Sequence, residues 1–159
     1  MGTCAGRRTG LRSRLRAAGL IFYFDTSALV KLVVVEDGSE LAGELWGGAY
    51  PTASSILAYP EGRAALAAAQ RLGRLGEEEH REALTAFGEV YAELVTVSVD
   101  QGLAVRAGEL AEDLELRGYD AVHLATALEL GDEEIVLVTW DRDLARAGQR
   151  VGLGLAGLG

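Results

Sequence analysis

"FYFDTSALVK", residues 22–31, decides the fold. With Leu20 and Ile21 in front, it reads as a buried strand that stops at a charge. Asp25 stands where the strand ends, and Thr26 and Ser27 follow it. Two roles fit an aspartate there. It caps the next helix by accepting an amide hydrogen, or it forms one wall of a site. "EIVLVT" (134–139) is a second buried strand, and it again runs out to an aspartate, Asp141.

Between these strands the apolar spacing is helical. It predicts helices over 26–34 and 36–48, then "SSILAYPEGRAALAAAQRL" (54–72), which must kink at Pro60 or start near it. "EEEHREALTAFGEVYAEL" (77–94) carries acids in its first turn, where the helix dipole favours them. Further helices follow over roughly 101–116, with Asp100 as N-cap, and 119–130, with a break at Gly118. Short strands are expected at 50–54, 95–99 and near 151–155, with a short helix before the last. Short apolar strands alternating with helices make an α/β fold with a mostly parallel sheet, in one three-layer domain.

The totals set limits. A chain of 159 residues, 49 % hydrophobic, builds a core. No apolar run reaches the roughly 18 residues of a membrane helix. One cysteine, Cys4, excludes a disulfide framework and a cysteine zinc site, and a reducing cytoplasm is expected. The formal charge is −9. Residues 1–19 hold five arginines and no acid, so the body from Leu20 onward holds ten basic and all 24 acidic residues, a net of −14. Such a surface does not coat a phosphate backbone by bulk charge. The basic segment 1–19 is expected to be a flexible extension or a misassigned start, with residues 20–159 as the single domain.

Most acids lie in acid-rich runs and read as solvated surface; Asp143 and the histidine of "EEEHRE", His80, read the same way. Four acids do not. Asp25 and Asp141 end strands. Asp120 opens the nearly uncharged helix "GYDAVHLATALEL", where Asp120, His123 and Thr126 share a face. Glu61 sits in the apolar helix "ILAYPEGRAALAAA". Each also has a plainer reading: Asp25, Asp120 and Asp141 as helix caps, Glu61 as surface charge, His123 as a packed, hydrogen-bonded histidine. In open parallel sheets ligands bind beyond the strand C-termini, where strand order reverses. If the first and fourth strands are neighbours, Asp25 and Asp141 face one another. Repelling carboxylates then require protons or a cation, and their hard oxygens suit Mg²⁺ or Mn²⁺.

"FDTSALVKL", the Glu61 helix, "YDAVHLATAL" and "VTWDRDL" occur in the order and approximate spacing of PIN-domain proteins. The chain most resembles the VapC-type toxins of prokaryotic toxin–antitoxin pairs, over roughly residues 20–155. The resemblance implies a five-stranded, mostly parallel sheet in a three-layer α/β/α PIN-like domain, and a Mg²⁺- or Mn²⁺-dependent ribonuclease. By motif, Asp25, Glu61, Asp120 and Asp141 become the acidic quartet, with Asp25 and Asp120 as main metal ligands and Glu61 and Asp141 directing that ion or a second one. Ser27 and Thr139 become polar supports. Arg63, Arg117, Arg142 and Arg146 are candidates for guiding an RNA strand, or solvent-facing partners of acids. Pro60 and Gly62 around Glu61 depart from the usual pattern and leave its aim open. The resemblance further implies a homodimer and a small antitoxin partner with a DNA-binding part, and no membrane association.

Three other readings compete. A haloacid-dehalogenase-like phosphatase needs a second aspartate two positions after the first, where this chain has Ser27. "GLGLAG" (152–157) matches a dinucleotide fingerprint but has no helix after it. A PIN-like binding module without catalysis is the stronger rival, and a gathered acidic quartet argues against it.

Overall fold

The computed structural model describes residues 19–131 and 134–158. Strands β1 (Leu20–Phe24), β2 (Thr52–Ser55), β3 (Val95–Val97), β4 (Glu134–Thr139) and β5 (Gly154–Gly157) form one sheet. Its order is β3-β2-β1-β4-β5, and every pairing is parallel. Seven helices are described: α1 (Thr26–Lys31), α2 (Ser39–Trp46), α3 (Ala58–Arg71), α4 (Glu77–Glu93), α5 (Gln101–Leu114), α6 (Gly118–Leu128) and α7 (Arg142–Arg150). The expected neighbourhood of the first and fourth strands holds, since Phe24 of β1 lies opposite Val138 of β4.

Two-residue periodicity in the strands feeds two cores. Ile21 and Tyr23 of β1, with Ile135 and Leu137 of β4, pack against Leu103, Leu124 and Leu144 of α5, α6 and α7. Phe24 and Val138 point to the other face, against Leu29, Leu66 and Phe87 of α1, α3 and α4. Removing each of these large side chains from water contributes roughly 1.5–3 kcal/mol. The sheet is therefore buried on both faces, and only its ends are open to a ligand. The chain builds β2 and β3 on one side of β1 and then returns to lay β4 on the other. Strand order reverses between β1 and β4, which places the ligand crevice of an open sheet beside Asp25.

Local details differ from the sequence-based expectations. The first helix ends at Lys31, not 34; Val33 and Val34 continue in turns, and Ser39 Oγ donates to the Val34 carbonyl at 2.9 Å. The helix expected over 36–48 spans only 39–46, after a left-handed Gly38. Pro60 causes no kink: α3 begins at Ala58, so Pro60 lies in the first turn, where its missing N–H is not needed. The break expected at Gly118 falls earlier, at Glu115, which adopts φ 57 and ends α5; Gly118 opens α6. The last strand is 154–157 and not 151–155, so the glycine-rich "GLGLAG" run is mostly an edge strand. Gly157 is required there. Its φ is 117, and a Cβ would stand 2.3 Å from the Thr139 carbonyl oxygen. The basic segment 1–18 lies outside the described residues. No helix among the described residues is long and apolar enough to cross a membrane.

Candidate active site

Asp25 fills the cap role that its position suggested. It is the N-cap of α1, and its Oδ1 accepts from Ala28 N at 2.9 Å. The same oxygen accepts from Ser27 Oγ at 2.7 Å, and Oδ2 accepts from Thr139 Oγ1 at 2.6 Å. Ser27 and Thr139, the polar supports that the resemblance implied, both donate to Asp25, and they lace two strand ends together. Trp140 N donates to Ser27 Oγ at 2.9 Å, and Asp141 N donates to Thr139 Oγ1 at 3.0 Å. Asp25 is only 4 % exposed. Burial pushes its carboxyl above the usual range, against the opposing pull of His123 and of the Thr139, Ser27 and Ala28 donors. Two donors use both lone pairs of Oδ1, whereas Oδ2 has one pair left.

Asp141 caps α7, its Oδ1 accepting from Asp143 N and Leu144 N, both at 2.9 Å. The plainer reading of Asp141 is thus also realised, through one of its two oxygens. Asp120 is not a cap. It is the third residue of α6, whose N-cap is Arg117. Loss of water and then the charge of Asp141 push the Asp120 carboxyl up to about 6; Asp25 adds to the rise, and His123 and Arg117 oppose it. Asp25, Asp120 and Asp141 come from three separate elements into one electrostatic neighbourhood.

Glu61 is not a surface charge. It lies in the first turn of α3, and Thr26 Oγ1 donates to its Oε2 at 2.6 Å. His123 Nε2 reaches the same oxygen at 2.6 Å and Thr26 Oγ1 at 3.2 Å. On the far side of the ring, Nδ1 is 2.9 Å from the Tyr23 hydroxyl. Burial alone would raise the Glu61 carboxyl; the His123 bond and charge, together with Thr26, hold it below its usual range. His123 is packed and hydrogen-bonded, as its plainer reading had it, and 3 % exposed. It joins the layer behind the sheet to the layer in front, across the strand ends.

The arginines are dispersed. Arg63 is exposed and stacks over Tyr59, 5.8 Å from the ring centroid. Arg146 pairs with Asp143, which is exposed as expected. Arg142 is exposed at the start of α7, while Arg117 is close enough for its charge to act on Asp120. A cavity of about 340 Å³ adjoins the cluster, lined in part by Thr26, Ser27, Lys31, Arg74 and Trp140. His80 is not simply solvated, because its Nε2 is buried and has no hydrogen-bond partner among the described residues.

The PIN domain family matches residues 22–149. The chain belongs to the PIN-domain family. It is 45 % identical to Ribonuclease VapC45 of Mycobacterium tuberculosis over 136 residues, which cover 86 % of this chain and 94 % of that protein. This places it among PIN domains of the VapC type. The fold is shared with the crystal structure of PAE2754 from Pyrobaculum aerophilum, at a TM-score of 0.65 and 23 % identity, covering 86 % of this chain and 84 % of that one. It is shared also with VapBC2 from Rickettsia felis, solved bound to a DNA fragment from the VapBC2 promoter, at a TM-score of 0.57 and 18 % identity. There the match covers 86 % of this chain and 97 % of that chain.

In this PIN domain the donor chemistry fits a small, hard divalent ion. Asp25 Oδ2 keeps a lone pair, and Asp120 feels two other carboxylates, Asp141 and Asp25, whose charge a cation would offset. No three His, Cys, Asp or Glu side chains among the described residues form a ready metal cage. Mg²⁺ does not need one; it binds through one or two carboxylates and keeps waters or takes phosphate oxygens. Sequence reasoning passed over Thr26 and Tyr23 as contributors. The signal for Tyr23 was the two-residue strand period, which sets Ile21, Tyr23 and Asp25 on one side of β1.

Proposed function

We propose that this chain is a Mg²⁺- or Mn²⁺-dependent endoribonuclease, the toxin of a type II toxin–antitoxin pair. What supports the reading is that Asp25 is buried beside the point where strand order reverses, and that Asp120, raised to about 6, feels the charges of both Asp141 and Asp25. Asp25 and Asp120 would hold the ion. A divalent ion so held offsets the charge that builds on a phosphate during attack and makes water a stronger nucleophile. Ser27, Thr139 and Ala28 fix the Asp25 carboxylate, so its direction is set before substrate arrives. Glu61 stays ionised at neutral pH. With both donors on Oε2, its Oε1 is free to accept a hydrogen from the attacking water and so orient it. Asp141 adds charge at the rim. Arg117 is the arginine best placed to meet a phosphate near the acids; Arg63 and Arg142 are further candidates along the strand.

The partner follows from likeness to VapC ribonucleases and from the fold shared with a VapBC assembly. A small antitoxin with a DNA-binding part blocks the acidic groove, and the toxin pairs as a homodimer. A cytoplasmic location goes with an RNA substrate. The test is cleavage of RNA by the purified protein with Mn²⁺, its loss with EDTA, and its loss in Asp25→Ala and Asp120→Ala proteins that keep their circular dichroism. Activity that survives both substitutions contradicts the assignment. Metal binding without cleavage returns the rival, a binding module.

A further inference from the structure

Glu61 is attached where its own helix gives it little guidance. It follows Pro60 in the first turn of α3, and Gly62 beside it has no side chain to brace it. Gly62 instead seats α3 against the Phe87 ring, so closely that a Cβ would stand 2.0 Å from it. The direction of the carboxylate must come from elsewhere. It comes from two donors on Oε2, Thr26 Oγ1 and His123 Nε2, each at 2.6 Å.

A carboxylate only accepts, so Nε2 must carry a hydrogen for this bond to form. A charged ring carries that hydrogen in any case; a neutral imidazole has two tautomers, and the wrong one turns a bare Nε2 lone pair toward the carboxylate. The bond made by the other ring nitrogen sets which is present. Here that nitrogen, Nδ1, faces the Tyr23 hydroxyl at 2.9 Å. Tyr23 is fully buried in β1, away from solvent. The phenol and imidazole also meet edge to face, with centroids 5.9 Å apart, which limits rotation of the ring. At neutral pH a phenol keeps its hydrogen, so it can donate to Nδ1 of a neutral ring and accept from a charged one.

We infer that Tyr23 and His123 are positioning residues for Glu61: Tyr23 fixes the His123 ring so that Nε2–H aims the Glu61 carboxylate into the acidic cluster. The inference rests on the ribonuclease reading for the purpose of that aim, but its geometry stands on the three side chains alone. Orienting partners behind a ligating or reacting group are typically worth roughly 10- to 100-fold in affinity or activity.

The test is a double-mutant cycle between Tyr23→Phe and Glu61→Gln, read in kcat, KM for RNA and Mn²⁺ affinity, with melting temperature as a control. Tyr23→Phe removes one oxygen and keeps the ring. It is expected to lower kcat or Mn²⁺ affinity by about tenfold, with KM for RNA changed less than twofold. In the Glu61→Gln background the same substitution is expected to cost nothing further, because the group it orients is gone. His123→Gln, which can still donate to Glu61 from its amide, is expected to retain more function than His123→Ala. Additive losses in the cycle overturn the inference, because they mean Tyr23 acts through stability alone. So does a Tyr23→Phe protein with wild-type kcat and Mn²⁺ affinity. If the wild-type protein cleaves no RNA, the ribonuclease reading falls, while the ¹⁵N chemical shifts of the His123 ring still decide the inference: they are expected to change in Tyr23→Phe, and unchanged shifts overturn it.

Discussion

Burial and the charge of Asp141 displace the protonation of Asp120, and the sign of its effect can be worked out. Its carboxyl in the folded protein, at about 6, lies above the ordinary 3.8. Between those values the folded protein binds a proton that the unfolded chain does not. Without metal, stability therefore rises as pH falls through about 6. Asp25 is displaced the same way by burial. Glu61, held below its ordinary value, works in reverse: its contribution is present above that value and is lost as pH falls through its folded one. Melting curves in EDTA from pH 8 to 5 should show the rise. Asp120→Asn should raise metal-free stability at pH 7 by about 1 kcal/mol, after discount for partial solvent access. A proton also competes with an ion for Asp120. RNA cleavage at limiting Mn²⁺ should fall as pH drops through about 6, and more Mn²⁺ should move that limb to lower pH. The strand-end acids were legible in the sequence because a lone charge at the close of an apolar run has few structural roles. Asp25 has one lone pair to spare after its cap and supports are counted, and that count needed the coordinates. Tyr23 was not legible as a contributor, since an aromatic residue in a buried strand looks like core, which it also is.

At the scale of elements, the site is held by how closely its carriers approach. Gly62→Ala drives a methyl into the Phe87 ring and must separate α3 from α4. Overpacking of this kind typically costs roughly 1–3 kcal/mol. Thermal unfolding should show it, and cleavage should fall further than stability explains, because Glu61 moves with α3. Asp100→Ala is the matched control. Asp100 caps α5 through Leu103 N at 2.9 Å, far along the chain from the acids. Its loss should cost about 1 kcal/mol and leave kcat and KM unchanged. The order and type of the elements were readable from periodicity, and β4 matched its expected span of 134–139. The boundaries that slipped share one cause: backbone geometry overrode composition. Glu115 took the left-handed turn that Gly118 was expected to supply, and the edge strand started only at Gly154, beyond the turn at Gly152.

At the scale of the molecule, an all-parallel sheet collects every strand C-terminus at one end, and the reversal between β1 and β4 opens that end beside Asp25. A body with a net charge of −14 from Leu20 onward repels RNA unless something positive sits among the acids. The central claim is that Asp25 and Asp120 share one divalent ion. Calorimetric titration of Mn²⁺ into the metal-stripped protein tests it most directly, with Asp25→Asn, Asp120→Asn and the exposed Asp143→Asn run in parallel. The account predicts that the first two weaken Mn²⁺ binding by at least about tenfold and that Asp143→Asn binds as the wild type does. Wild-type Mn²⁺ affinity in either Asp25→Asn or Asp120→Asn would contradict it.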